Sequence, residues 1–219
     1  MFPAELTDFH YSNAKYHPPA HKNFRDAKED VNCCYYSIRF KFDSELLLKE
    51  CQAADDLFVS HRANDKKSGY GHQGWKSLTL HGLDKHKTEH YVQYGFSSLE
   101  EANYQWTDAC DRLPNVAQFV QSLPYKLFDR VRIMRLDSGG YIMPHSDNKH
   151  ERAFSPLNIA INNPLGCHFV FREGGVVPFA AGVGMVLDVG REHIVINRSS
   201  QVRYHIIVHG HYAPEFYNL

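Results

Sequence analysis

The chain has 219 residues, with 24 Lys and Arg against 25 Asp and Glu, and a formal net charge of -1. At about 150 residues per domain, this length predicts a single domain. The balanced charge argues against a nucleic-acid-binding protein, which needs a positive field to neutralise phosphates. No run of about 18 apolar residues occurs, so we expect no membrane-spanning helix. An aromatic content of 13% argues against disorder.

The cysteines and the first residues of the sequence predict a cytoplasmic protein. Five cysteines occur, an odd number, and none of them forms a CxxC pair. This pattern is typical of buried thiols in a reducing compartment rather than of a disulfide framework. The N-terminal segment contains acidic residues and lacks the apolar centre of a signal peptide. We therefore expect an intracellular location, with no nucleic-acid or membrane partner.

The first 124 residues predict an arm followed by alternating short strands and helices. Residues 1–34 are polar and irregular, and we expect them to form an extended arm that wraps the domain. Hydrophobic periodicity and capping residues then predict strands at 35–42 and 75–80, and helices at 45–55, 99–110 and 115–123. We expect the helices to buttress the rest of the chain.

After Pro124 the sequence changes to short apolar runs separated by Gly, Pro and Asn turns. The predicted strands are 128–136, 140–145, 157–162, 167–172, 184–188, 193–197 and 202–209. Strands this short, at this spacing, are typical of an antiparallel sandwich or barrel. We predict one domain, 1–219, that is mainly β with flanking helices, in which residues 1–124 support a jelly-roll core at 125–219.

A His-x-Asp motif ends one of these predicted strands, at His145 and Asp147. Residues i and i+2 point to the same face of a strand, so both side chains can reach one ion. An imidazole and a carboxylate are two of the three ligands in the facial triad that binds non-haem Fe(II). The motif alone is weak evidence for a metal site, because a histidine in the core followed by an aspartate in a turn produces the same His-x-Asp sequence.

His193 is the candidate for the third ligand, because it begins another predicted strand. Arg203 follows ten residues later, within an apolar strand where an unpaired guanidinium is costly to bury. A carboxylate supplied by a bound molecule would satisfy it bidentately. The alternative is a structural ion pair with Asp188 or Glu192. Three protein ligands leave three iron sites, which a bidentate 2-oxo acid and dioxygen would fill, with the far carboxylate of 2-oxoglutarate at Arg203.

The segments RVRIMRLDSGGYIMPHSD, which ends at Asp147, and GREHIVINRSSQVRYHIIVHG, from Gly190 to Gly210, resemble the aspartyl/asparaginyl β-hydroxylase family of Fe(II)/2-oxoglutarate-dependent oxygenases. That family includes hydroxylases of peptide residues and of free amino acids such as proline. The resemblance implies a double-stranded β-helix, a cupin-like jelly roll, with His145, Asp147 and His193 as metal ligands. It implies that Arg203 anchors 2-oxoglutarate, and that Fe(II) and O2 are required, with an ascorbate-type reductant as an aid.

Other residues are candidates for binding the cosubstrate. His205 shares a strand face with Arg203, and is either part of the pocket or a core histidine. Members of the family often carry a basic residue after the HxD motif that assists 2-oxoglutarate. In this sequence Arg152, Ser155 and Asn158 are the candidates for that position.

Substrate contacts are expected at the open end of the barrel, where the carboxylate of an amino acid needs a cationic partner. The candidates are Trp75, Arg62, Arg132 and Arg135. His209 and His211, which flank Gly210, are expected to be exposed.

These observations favour an Fe(II)/2-oxoglutarate-dependent dioxygenase that hydroxylates an amino acid, either free or as a peptide or protein residue. One alternative is a metal cupin with 2-oxoglutarate-independent dioxygenase or isomerase activity, which has no need of Arg203. The other is a non-catalytic jelly-roll binding module, which would be expected to lose metal ligands. The sequence does not predict an oligomeric state.

Overall fold

The computed structural model describes residues 2–9, 21–61, 71–147 and 154–219. Within these ranges, short α-helices lie almost entirely in the first 124 residues. They are α1 (Phe24–Glu29), α2 (Ser44–Ala53), α3 (Leu99–Ala102), α4 (Ala109–Arg112) and α5 (Pro114–Gln121). Three of these helices, α1, α2 and α3, begin at a side chain that accepts from free N–H groups: Asp43, for example, accepts hydrogen bonds from two N–H groups in the first turn of α2.

The strands follow one another through the rest of the described chain. They are β1 (Tyr35–Arg39), β2 (Val59–Ser60), β3 (His72–Gly82), β4 (Gln105–Trp106), β5 (Tyr125–His145), β6 (Phe154–Ala160), β7 (Cys167–Phe171), β8 (Gly175–Val176), β9 (Val183–Asp188), β10 (His193–Asn197) and β11 (Arg203–Tyr212). All of their pairings are antiparallel.

The strands form one curled sheet, in the order β1-β9-β6-β11-β5-β10-β7-β8. β5 joins the two halves of the curl, because its first part pairs with β11 and its last part pairs with β10. β3 also pairs with β5 over most of its length. The sheet thereby closes around an interior, and the predicted fold class, a mainly β jelly roll with flanking helices, is confirmed.

Alternation along β5 separates two apolar cores. Val131 and Ile133 point outward into a cluster that also contains residues of α2 and α5. Leu136 and Ile142 point inward, into a second cluster inside the curl. Full burial of each such side chain stabilises the fold by roughly 1.5–3 kcal/mol. Two inward positions that precede Leu136 on this strand carry cationic side chains, Arg130 and Arg132, so the interior is built in part to bind something.

Several predicted element boundaries were wrong. The predicted helix over 99–110 ends at Ala102, because Asn103 takes a left-handed conformation with φ of 47°, and β4 follows before α4 begins. The strands predicted at 128–136 and 140–145 are one continuous strand, β5. The N-terminal arm is not wholly extended, since it contains α1.

The five cysteines are free, and four of them are buried. Burial raises the pKa of the Cys51 thiol well above its usual value, so this group is an inert core residue. Within the described ranges, no helix has both the length and the apolar character needed to cross a bilayer.

Candidate metal centre

The ends of β5 and β10 bring His145 and His193 together. The two residues are register partners, and their ring centroids lie 4.2 Å apart. Asp147 lies just beyond the end of β5, where its N–H donates to the carbonyl of Val189 at 2.9 Å. One ligand atom from each of the three side chains lies within 4.8 Å of the others. The structure thus clusters the three residues that the sequence analysis selected.

Hydrogen bonds to the backbone orient both imidazoles. Nδ1 of His145 donates to the carbonyl of Met143 at 2.7 Å, and Nδ1 of His193 donates to the carbonyl of Arg191 at 2.8 Å. With the proton held on Nδ1, each ring presents the lone pair of Nε2 to the cluster, as a metal-binding histidine requires. Burial lowers the pKa of His193, which favours the same neutral form.

The donor set fits Fe(II). Two imidazole nitrogens and one carboxylate on one side of an open space are the ligands of the facial triad found in non-haem iron oxygenases. The side chains of His145 and Asp147 are 6% and 40% exposed, so the cluster is buried on the protein side and open on the other. The ring of His193 stacks on Phe169 with the centroids 4.7 Å apart, which restrains its rotation.

A cavity of about 330 Å³ opens from this cluster into the interior of the curl. Its walls combine apolar side chains with two groups of cationic ones, near Arg203 and near Arg132. On the β5–β11 ladder, Arg203 pairs with Leu136, and Arg132 pairs with Ile207. At about 3.3 Å per residue, the two arginines are about 13 Å apart along the ladder.

Arg203 is buried in the cavity wall, with 5% of its surface exposed. Its Nη2 donates to Nδ1 of His205 at 2.7 Å, and its guanidinium lies 5.7 Å from the ring centre of Phe179. Burial lowers the pKa of Arg203, but a guanidinium remains charged inside proteins. The residue therefore offers a positive charge to the cavity.

The predicted alternative for Arg203, a structural ion pair, is not what the described residues form. Asp188 pairs instead with Arg191 at 3.0 Å, and Glu192 pairs with Arg172. No ion pair between Arg203 and a carboxylate occurs among the described residues. A buried guanidinium in this setting is suited to a carboxylate supplied by a ligand.

His205 and Asn158 complete this end of the cavity. Nδ1 of His205 lies 2.7 Å from Nη2 of Arg203, which can only donate. Oδ1 of Asn158, which can only accept, lies 2.7 Å from the same Nδ1, so this atom of the ring lies between a donor and an acceptor. Burial and the charge of Arg203 hold the pKa of His205 well below its usual value. Within the described chain, the buried Nε2 has no hydrogen-bond partner, so it is available to a bound ligand.

Arg132 forms the second cationic region and is held from three sides. Nη1 donates to the carbonyl of Thr88 at 2.9 Å and approaches Nε2 of His61 at 3.4 Å. Nη2 approaches Nε2 of His209 at 3.3 Å. Trp75 also lines the cavity and packs against His61, with the ring centroids 4.2 Å apart.

Two substrate candidates do not join this site. Arg135 is an odd-numbered neighbour on β5, so it points out of the cavity, where it forms ion pairs with Asp55 at 2.7 Å and with Asp137. Arg62 lies outside the described residues, as does Arg152. Ser155, one of the open alternatives for assisting the cosubstrate, lines the cavity together with Asn158.

Three basic side chains of the cavity were not among the predicted site residues: Arg130, His61 and His209. Arg130 shares the inward face of Arg132, and His209 shares the inward face of Arg203 and His205, so strand parity held a signal for both. The expectation that His209 is exposed was wrong, because this residue is part-buried and borders the cavity. His61 carried no such signal, since the pairing of β2 with β3 brings it to the site.

Comparisons with known proteins agree with this geometry. The aspartyl/asparaginyl beta-hydroxylase family model matches residues 42–211. The search of curated protein sequences gave no significant match. Among solved structures, a prolyl hydroxylase from Trichoplax adhaerens, in complex with a hypoxia inducible factor oxygen degradation domain peptide fragment, has 14% identity and a TM-score of 0.50, over 84% of this chain and 85% of that one.

Two other solved structures have lower scores. A 2OG-Fe(II) oxygenase family oxidoreductase from Burkholderia pseudomallei has 14% identity and a TM-score of 0.48, over 90% of this chain and 95% of that one. A Pseudomonas putida prolyl-4-hydroxylase has 15% identity and a TM-score of 0.46, over 84% and 96%. The similarity to the Trichoplax adhaerens structure, at 14% identity and a TM-score of 0.50, supports a shared fold and nothing finer.

Proposed function

Because the chain belongs to the aspartyl/asparaginyl beta-hydroxylase family and is an Fe(II)- and 2-oxoglutarate-dependent hydroxylase, we propose that His145, Asp147 and His193 bind its iron. The observation that carries this assignment is the cluster of their ligand atoms within 4.8 Å. The hydrogen bonds of both Nδ1 atoms to carbonyls support it, because they turn both Nε2 atoms toward the cluster.

When bound, Fe(II) with 2-oxoglutarate and dioxygen supplies the oxidising power that replaces a C–H bond of the substrate by C–OH and releases succinate and CO2. The chain holds the reactants and shapes the space around them. Asp147 adds a negative charge beside two neutral imidazoles, which suits a divalent cation. Apolar side chains next to the cluster, among them Ile142, Phe169 and Val195, exclude water from the reacting groups.

The second part of the proposal is that Arg203, His205 and Asn158 bind 2-oxoglutarate. Arg203 supplies the charge for one carboxylate of the cosubstrate, and the buried Nε2 of His205, which has no hydrogen-bond partner among the described residues, supplies a further polar contact. A buried polar atom without a partner costs roughly 1–3 kcal/mol, and a bound cosubstrate that pairs with it would remove this cost. Asn158 contacts His205 and fixes its ring.

The third part concerns the substrate, which we propose is an amino acid bound through a carboxylate at Arg132, with Trp75 as an apolar wall. Its carboxylate is either the α-carboxylate of a free amino acid or the side chain of an acidic residue in a peptide. Arg132 is about 13 Å from Arg203 along the ladder, so the two guanidiniums can bind different carboxylates.

The two alternative functions explain less. A metal cupin that works without 2-oxoglutarate leaves the buried Arg203 without a purpose. A non-catalytic binding module does not need two imidazoles whose Nε2 atoms are turned toward one carboxylate. Membership of the aspartyl/asparaginyl beta-hydroxylase family is a separate observation that also favours the oxygenase.

We also propose that residues 1–219 are one oxygenase domain, because β1 and β3 pair with strands of the C-terminal part. A cytoplasmic location is proposed on the five free cysteines, which suit a reducing compartment.

The test is succinate formation from 2-oxoglutarate, with mass spectrometry of a library of free amino acids and peptides for a gain of one oxygen atom. We expect both products to require Fe(II) and O2, and an ascorbate-type reductant to prolong turnover. His145→Ala should abolish both, whereas His211→Ala, an exposed position on β11, should not. Succinate formation that survives in His145→Ala would refute the ligand assignment.

A further inference from the structure

Two histidines hold the guanidinium of Arg132 in place. Nε2 of His61 lies 3.4 Å from Nη1, and Nε2 of His209 lies 3.3 Å from Nη2. A guanidinium has only donors, so both imidazoles accept with Nε2 and carry their proton on Nδ1. For His61 this agrees with the contact on its other side, where Nδ1 lies 2.7 Å from Oγ of Ser77.

Both imidazoles are also restrained by their surroundings. The ring of His61 packs edge-on against Trp75, at 4.2 Å between centroids. His209 lies on β11, which pairs with β5, the strand that contains Arg132. Burial, with the positive charges of Arg130 and Arg132 and the nearby His90, lowers the pKa of His209 well below its usual value. His209 is therefore a neutral acceptor at neutral pH.

The choice of histidine has a chemical consequence. A carboxylate at either position would orient Arg132 but would also neutralise its charge, whereas a neutral imidazole orients the guanidinium and leaves the charge in place. Two such acceptors, with the carbonyl of Thr88, fix the plane of the guanidinium against the cavity wall. A fixed plane favours bidentate recognition of a planar anion.

We propose that His61 and His209 are positioning residues that orient Arg132 for a substrate carboxylate. The inference rests on the proposed function, in which Arg132 binds that carboxylate, and it adds the two residues that determine specificity for an acid over its amide. The carboxylate comes either from a free amino acid or from an acidic side chain in a peptide.

The experiment measures binding to the protein loaded with Mn(II) and N-oxalylglycine, an unreactive analogue of 2-oxoglutarate. The probes are the twenty protein L-amino acids, each beside its α-amide, and the blocked peptide acetyl-Gly-Asp-Gly-amide beside its Asn counterpart. We expect one of the acids to bind at least tenfold more tightly than its amide. The free-acid and peptide arms distinguish the two sources of the carboxylate.

The variants distinguish the loss of a hydrogen-bond acceptor for Arg132 from a change in side-chain volume. His61→Leu and His209→Leu remove the acceptor, and we expect each to weaken binding of the preferred acid about tenfold while leaving its amide unchanged. His61→Gln and His209→Gln place a carbonyl near the position of Nε2, and we expect affinity within about threefold of the wild type. His211→Leu, an exposed position on the same strand, is the control and should change nothing.

A second measurement needs no substrate. Imidazole 15N spectra of the folded protein at pH 7 should show His61 and His209 as neutral rings with the proton on Nδ1, and Nε2–H rings would overturn the proposal. The proposal would also be overturned if the Leu variants lost affinity equally for the acid and its amide, or lost affinity for neither. It would be overturned too if the wild type bound no acid of the panel more tightly than its amide. Failure of the proposed function would appear elsewhere, as absent Mn(II) binding or absent 2-oxoglutarate turnover in the wild type.

Discussion

Arg132 on β5 and Arg203 on β11 line one cavity from neighbouring strands, four ladder positions apart. Each guanidinium is held by an imidazole, His209 in the first case and His205 in the second. The cavity consequently has two places for a carboxylate, and the metal cluster opens into the same space. If Arg203 binds the cosubstrate and Arg132 binds the substrate, substitutions of the two arginines should have opposite effects on cosubstrate use and on substrate hydroxylation.

Arg203→Met should raise the KM for 2-oxoglutarate at least thirtyfold, because truncating one partner of a buried charge pair costs about 2 kcal/mol or more. Mn(II) affinity should stay within twofold, since Arg203 does not belong to the ligand cluster. Steady-state succinate formation and calorimetry measure the two quantities. Arg39→Met, an exposed arginine on β1, is the matched control. An unchanged KM would remove Arg203 from the cosubstrate site.

Arg132→Met should have the opposite effect. Succinate formation in the absence of substrate should continue with an almost unchanged KM for 2-oxoglutarate, while hydroxylation of the substrate falls at least thirtyfold in kcat/KM. The ratio of hydroxylated product to succinate, measured by mass spectrometry, reports the difference. If the KM for 2-oxoglutarate rises by a larger factor than the kcat/KM for hydroxylation falls, Arg132 rather than Arg203 binds the cosubstrate.

His193→Ala and Asp147→Ala should each weaken Mn(II) binding by at least tenfold, because three ligands hold the ion and each removal leaves an incomplete set. Isothermal titration calorimetry measures the affinity, and circular dichroism checks that the variants fold. His168→Ala, a histidine on the neighbouring strand β7 that does not line the cavity, serves as the control. Wild-type affinity in Asp147→Ala would leave the carboxylate without a role.

The stability of the fold should decrease as the pH falls below about 6.5. Burial lowers the pKa of His205 and of His209 well below the usual value of 6.5, so both rings are neutral when folded and gain protons on unfolding. Their contribution is complete above pH 6.5 and is lost as the pH falls toward the folded pKa values, at up to about 1.4 kcal/mol per pH unit for each ring. Urea unfolding between pH 7.5 and 5 measures it.

His209→Gln supplies the control for this pH dependence, since the amide does not titrate. The free energy of unfolding of this variant should fall less steeply with pH than that of the wild type. Parallel curves for the two proteins would show that the pKa of His209 is the same in the folded and unfolded states.

Asn197→Ala should destabilise the fold by about 2–3 kcal/mol, because it leaves several buried backbone groups unsatisfied. The Asn197 amide donates to the carbonyls of Leu136, Asp137 and Gln201, and its Oδ1 accepts from the N–H of Ser199. These bonds join the end of β10 to the middle of β5, next to the register partner of Arg203. For a chain of this length the melting temperature should fall by about 5–10 °C. A shift below about 2 °C would contradict this role.

The parts of the site that could be predicted from sequence are those set by strand parity. His145 with Asp147 and Arg203 with His205 are separated by two residues, so one face of a strand presents both members of each pair. Parity also placed Arg132 on the face of Met134, although the sequence could not tell which face is inward. The structure answers this, because Arg132 points into the cavity and Arg135 points toward Asp55.

Other features depend on contacts between distant segments, which local patterns do not contain. His61 reaches Arg132 only because β2 pairs with β3 and β3 pairs with β5. The early end of α3 depends on the left-handed conformation of Asn103, which asparagine tolerates but does not require. The continuity of β5 through Gly139 and Gly140 was hidden because the glycine pair has the composition of a turn.

The most direct test of the iron and cosubstrate assignments is a crystal structure of the protein with Mn(II) and N-oxalylglycine. We expect the ion to be bound by Nε2 of His145, Nε2 of His193 and the carboxylate of Asp147, with the far carboxylate of the analogue on the guanidinium of Arg203. An ion bound by other residues, or an analogue whose far carboxylate lies on Arg132, would contradict the account.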